Sequence, residues 1–169
     1  MTATSPVSLR RPGAFPSISP STLMVLLVSG STATVAFDIW GQAISPMLGY
    51  GNLSPDGLAR SLLGRLGLPD GAAAGNFIHL LVIGLLAYPI GWLAVFRPLQ
   101  ERFAPGLGWL AASAIYGFGL WILAIGFVAG FALGQPFLKF TTIAWVALVG
   151  HVLYGIVCGA TVVWLERRR

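Results

Sequence analysis

Both histidines of the chain and one of its five acids stand inside segments that are otherwise apolar: Asp38 in VAFDIWGQ, His79 in NFIHLLVIG and His151 in VALVGHVLYG. An ionisable group in hydrocarbon costs at least ~2.5–3.5 kcal/mol, so such residues turn toward a protein interior or a wet cavity and mark a site by default. A carboxylate beside imidazoles suits proton relay or the holding of a cation, and neutral imidazole also ligates metals and haem iron. Asp38, His79 and His151 are therefore the candidate site and the candidate metal set, and the sequence names no cofactor for them. No HExxH, GxSxG or phosphate-binding glycine loop is present, so no catalytic residues are assigned.

Helical spacing supplies neighbours. Ser31, Thr34, Asp38, Gln42 and Ser45 recur at three- and four-residue intervals and form one polar stripe that is expected to face inward. Asn76 and His79 are an i, i+3 pair, and His151 shares its face with Tyr154, Gly155 and Cys158. The predicted polar pocket is thus Asp38, His79, His151, Asn76, Gln42 and Tyr154. The plainer alternative is that each is a polar side chain bonded to a neighbouring helix, worth ~0.6 kcal/mol per contact.

The elements that must position these residues are membrane spans. A mean hydropathy of +0.83, with 56% hydrophobic and 9% charged residues, excludes a soluble domain. Four runs, about Pro20 to Ile44, Asn76 to Phe96, Leu107 to Leu133 and Thr141 to Leu165, are long enough to cross a bilayer at ~20 residues each. Pro46, Arg97 with Pro98, Pro136, and Glu166 with the terminal arginines are expected to stop them. The reading is an all-α integral membrane four-helix bundle: a disordered cytoplasmic tail over 1–19, a single domain over 20–166 and a basic cytoplasmic end over 167–169. The first span has no convincing cleavage site and reads as retained.

Arg10, Arg11, Arg97, Arg102, Arg167, Arg168 and Arg169 fall on one side of such a bundle and Arg60, Arg65 and Lys139 on the other, which predicts both termini in the cytoplasm. The net charge of +5 thus reflects topology, and no basic surface for nucleic acid exists. Under this topology Asp38 lies about 9 Å, His79 about 5 Å and His151 about 15 Å below the outer helix ends, all in the outer half. The lone Cys158 allows no intrachain disulfide.

In the long first outer loop, from about Ser45 to Gly75, Ser54, Pro55 and Asp56 form a helix start. Leu58, Leu62, Leu63 and Leu66 form an apolar stripe, and Gly67 and Pro69 end the segment. This predicts a short interfacial helix, with Arg60 toward water or headgroups. Gly126, Gly130 and Gly134 on the third helix, and Gly155 and Gly159 on the fourth, are small-residue ladders expected to bring those two helices together, within the chain or between copies. A weak internal repeat aligns His79 and Trp92 with His151 and Trp164.

The succession STATVAFDIWGQ, GNFIHLLVIG, GFALGQP and GHVLYGIVCG, with Asp38, Trp40, His79, Gln135, Pro136, His151 and Gly155 as anchors, resembles the small four-span bacterial inner-membrane proteins of the YagU-like kind and their relatives. The resemblance covers about Ser31 to Trp164 and implies a bacterial cytoplasmic membrane and a helical bundle; it implies no chemistry. The leading reading is a structural or accessory membrane subunit with a polar Asp/His pocket in its outer half. Behind it stand a small transporter or proton-linked permeation protein, and then a metal or haem b protein. The expected partners are the lipid bilayer and a second copy or larger membrane complex.

Overall fold

Each apolar run folds as a helix because only a helix satisfies its own backbone amides and carbonyls in lipid. The computed structural model describes residues 19–168; of the tail expected over 1–19, residues 1–18 lie outside the described residues, as does Arg169, and Ser19 caps the first helix. Four helices are long and apolar enough to cross a membrane: α1 (Pro20–Met47), α3 (Ala72–Phe103), α4 (Trp109–Ala132) and α5 (Thr142–Glu166). A shorter helix, α2 (Pro55–Arg65), occupies the loop between α1 and α3. No strand occurs among the described residues. The protein is an all-α four-helix bundle of the multi-pass membrane class.

Two expected stops are not stops. Pro46 lies within α1, and Arg97 and Pro98 lie within α3, which continues to Phe103. The physical reason is a widened helical turn ahead of each proline. Ser45 N–H reaches Trp40 O, Tyr88 N–H reaches Ile83 O and Arg97 N–H reaches Trp92 O, five residues back in each case. Each of these donors directly precedes a proline, at 46, 89 and 98. The wider turn gives the pyrrolidine ring room that an ordinary turn denies it, so the helix is carried through. At its start, α1 has Pro20 in the first turn and Ser19 as cap, whose Oγ accepts from Thr22 N–H at 3.1 Å.

Packing follows glycine. Helix α5 is central, against α1 on one side and α4 on the other, and α1 also packs on α3. At the α4–α5 contact a Cβ on Gly155 would sit 2.3 Å from Ser113 O, one on Gly117 2.3 Å from His151 O, and one on Gly159 1.9 Å from Ser113 Oγ. At α1–α3, a Cβ on Gly30 would sit 2.6 Å from Leu85 O and one on Gly84 2.3 Å from Thr34 Oγ1. Gly155, Gly117 and Gly30 thus meet a neighbour's backbone and Gly159 and Gly84 a side-chain hydroxyl, approaches that only a missing side chain permits.

The third-helix ladder is placed otherwise than expected, and the expectation is corrected. The Cβ positions of Gly126 and Gly130 meet Phe137, from the connection to α5, and Gly134, at φ +71°, terminates α4. The partners of Gly155 and Gly159 are about two and a half to five turns earlier in α4, at Ser113 and Gly117. The two members of the apparent repeat are likewise unlike. Trp92 is 3% exposed, whereas Trp164 is 49% exposed with the Arg168 guanidinium 4.0 Å above its ring.

Opposite the loop end that carries α2, Arg97 donates to Glu101 at 2.9 Å and to Glu166 at 2.7 Å, tying α3 to the end of α5. Replacing Gly117 or Gly155 by Leu should lower the thermal midpoint in detergent strongly, since overpacking costs about 1–3 kcal/mol or more. Gly119→Ala, where an added Cβ meets nothing within 4 Å, should leave it unchanged. Equal midpoints for all three variants would contradict the α4–α5 contact.

Candidate functional site

The widened turn at 40–44 and the Gly30/Gly84 approach set α1 against α3 so that Asp38 meets His79. Nε2 of His79 lies 2.9 Å from Asp38 Oδ1, and Gln42 Nε2 donates to the same oxygen at 2.9 Å. A carboxylate oxygen only accepts when ionised, so both neighbours act as donors to it. The pair is partly sheltered, with side-chain exposures of 12% for His79 and 23% for Asp38. Gln42 is exposed, and so is Ser31; of the expected inward stripe, Thr34 and Ser45 are buried and Asp38 is half-buried.

His151 is in a different setting. It is 5% exposed and its Nδ1 lies 2.7 Å from Ala147 O, one turn back in α5. Phe37 contacts both imidazoles: its ring centroid is 5.0 Å from His151 in an edge-on contact and 6.1 Å from His79. Tyr154, the other expected member on α5, donates its hydroxyl to Gly84 O of α3 at 2.6 Å. Asn76 is exposed and lines no part of the cavity described below. The structure therefore bonds Asp38, His79 and Gln42 to one another, sets His151 and Tyr154 on the same cavity as His79 with Phe37 against both imidazoles, and leaves Asn76 outside. Among the described residues no three His, Cys, Asp or Glu side chains gather as a metal would need, so Asp38, His79 and His151 do not form one ligand set.

Both imidazoles border a cavity of about 660 Å³. Its walls are aliphatic, with Ile78 and Ile83 from α3 and Leu123, Ile125 and Val128 from α4. Helix α2 lies across α3 and α4, presenting Pro55, Leu58, Ala59 and Leu62 to the cavity. The stripe read from sequence is therefore turned onto protein, with Ala59 buried and Leu66 left 64% exposed. The start of α2 also differs in detail: Ser54 Oγ donates to Asp56 Oδ1 at 2.9 Å and caps no backbone amide. Arg60 reaches back to Asp70 O at 2.8 Å.

The connection from α4 to α5 completes the rim with Gln135, Lys139 and Thr141. Leu138, Lys139 and Phe140 have φ of 56°, 47° and 42°, a left-handed turn that costs roughly 1–2 kcal/mol per non-glycine residue. The packing of Phe137 across Gly126, with its ring 6.0 Å from Phe127, anchors that turn. Lys139 is the one formally charged side chain, the histidines aside, among the described residues lining the cavity.

Below the cavity the bundle is shut. The Tyr116 hydroxyl donates to the Tyr88 carbonyl, joining α4 to α3. Trp92, Phe96 and Tyr116 fill the space beneath with ring centroids 5.3–5.6 Å apart. Sequence reasoning missed Phe37 and Tyr88, which flank the imidazoles. Their signals were the aromatic next to Asp38 and the tyrosine next to Pro89 within an apolar run.

No protein-family model, curated protein or solved structure matches the chain. The site is therefore interpreted from its own chemistry. A double-mutant cycle of Asp38→Ala and His79→Ala, read as unfolding free energy in detergent, should give a coupling of ~0.6–1.7 kcal/mol. Strict additivity would contradict the direct bond.

Proposed function

We propose that this protein is a small accessory subunit of the membrane that holds the apolar part of an amphiphilic molecule in its loop-end cavity. One observation carries the reading. A bundle whose helices elsewhere approach too closely for a Cβ opens at one end into about 660 Å³ of apolar space with polar groups at its floor. Closely packed interiors do not retain such space without use, and binding sites are typically apolar clefts of ~300–1,000 Å³ with a few placed polar groups. The Asp38–His79 pair fixes the wall and offers a proton-exchanging dyad between cavity and surface.

The packing of Tyr116, Trp92 and Phe96 against one another, with the Tyr116 hydroxyl on the Tyr88 carbonyl, supports a binding role over a through-going proton or solute path. A metal or haem b role has weaker support, since no three ligating side chains gather among the described residues and each histidine already uses a ring nitrogen. The resemblance to YagU-like proteins and the arginine distribution support a bacterial inner membrane with both termini cytoplasmic, which places the cavity in the outer half and α2 at the outer interface.

Two outcomes follow. In protein reconstituted into nanodiscs, a fluorescent long-chain amphiphile should bind the native chain and bind at least about tenfold more weakly to Ala129→Phe, whose new ring fills the cavity without removing a polar group. Equal binding would contradict the cavity as the site. In intact cells, a membrane-impermeant thiol reagent should label Asn52→Cys and not Gly106→Cys, the latter in the open connection before α4; the reverse pattern would invert the topology.

A further inference from the structure

Two polar groups on the cavity floor have no hydrogen-bond partner among the described residues. A carbonyl oxygen only accepts, so His151 Nδ1, 2.7 Å from Ala147 O, carries the ring proton. Buried with no ion pair among the described residues, the imidazole is neutral, which leaves Nε2 as an acceptor with no hydrogen bond among them. The Tyr88 hydroxyl is the second such group. Its backbone carbonyl takes the Tyr116 hydroxyl, but its own O–H meets no acceptor among the described residues. The Tyr88 and His151 ring centroids are 6.2 Å apart, and both residues line the cavity. The neighbouring Thr34 and Tyr154 hydroxyls are already donated, to Gly30 O at 2.8 Å and Gly84 O at 2.6 Å.

We infer, building on the binding role proposed above, that the floor receives the neutral aromatic head of a quinol, its hydroxyl donating to His151 Nε2 and accepting from the Tyr88 hydroxyl. Four observations select this class. The lone acceptor requires a ligand that brings a hydrogen. The floor has no cation to balance an anionic head, Lys139 being at the rim. Phe37 and Tyr88 flank His151, with ring centroids 5.0 Å and 6.2 Å from the imidazole, and Tyr154 meets Tyr88 edge-on at 5.3 Å, an aromatic setting suited to a flat ring. The aliphatic walls toward α2 suit a hydrocarbon tail.

The reduced form is selected over the oxidised one. A quinone presents carbonyl oxygens only, which pair with Tyr88 but face the Nε2 lone pair and leave it unmet; a buried unpaired acceptor is penalised by roughly a factor of ten or more in affinity.

The test is anaerobic titration of the full chain in nanodiscs with a decyl-substituted benzoquinol, with its quinone and with a long-chain aliphatic alcohol, each competing against the fluorescent amphiphile. The expected result is quinol binding about tenfold tighter than quinone and tighter than the alcohol. His151→Phe should abolish the quinol preference while keeping amphiphile binding. Tyr88→Phe should weaken quinol and quinone alike, and serves as the second variant if His151→Phe fails to fold. Equal binding of quinol and quinone, or a preference that survives His151→Phe, overturns the head-group assignment. Alcohol binding as tight as quinol overturns the aromatic ring and leaves only a hydroxyl amphiphile. Binding of none of the probes to the native chain overturns the cavity reading itself.

Discussion

A polar group in hydrocarbon must find its partner within the protein, and the arrangement of these helices follows from how that demand is met. Trp40 Nε1 donates to Val146 O at 2.9 Å, Trp121 Nε1 to Ala144 O at 2.8 Å and Tyr154 Oη to Gly84 O at 2.6 Å. With the Tyr116 hydroxyl on the Tyr88 carbonyl, these bonds tie α1 to α5, α4 to α5, α5 to α3 and α4 to α3. Each uses the spare lone pair of a carbonyl already engaged in its own helix. An aromatic donor reaches a neighbour's backbone only where the helices are near, which is the work of Gly30, Gly84, Gly117, Gly155 and Gly159. Glycine contacts and aromatic ties are therefore one device.

The departures from full satisfaction are then informative. The Trp92 indole N–H is buried without a partner among the described residues, enclosed by Phe96 and Tyr116 in the closed half. His151 Nε2 and the Tyr88 hydroxyl also lack partners among the described residues, but they border open space. A group shut in is a local strain, whereas a group facing a cavity is an opening for a ligand. The Asp38–His79 pair belongs to neither kind: its members satisfy one another between α1 and α3, and it links the cavity wall to the half-exposed edge of the bundle.

The spans were legible from hydropathy and length, and so was α2, from its proline, first-turn acid and leucine stripe. Continuation through Pro46 and Pro98 was not legible, because a proline reads as a stop unless the turn before it widens, and the widening depends on tertiary room. The meeting of Asp38 with His79 was foreshadowed by the cost of leaving either in lipid. The setting of His151 was not, since it turns on Phe37, an apolar residue with no pattern of its own. Glycine spacing correctly suggested close approach by α5, but Gly126 and Gly130 show its limit: a small-residue ladder announces that something comes near, here the Phe137 loop, without saying what.

The central claim is that the cavity floor presents a free acceptor at His151 while His79 is bonded to a carboxylate. Nitrogen-15 solid-state NMR of histidine-labelled protein in bilayers tests it most directly. The account predicts that His151 is neutral, with Nδ1 protonated and Nε2 bare, and that His79 carries its hydrogen at Nε2 and loses that signature in Asp38→Ala. A His151 protonated at Nε2, or a His79 spectrum indifferent to Asp38, would contradict it.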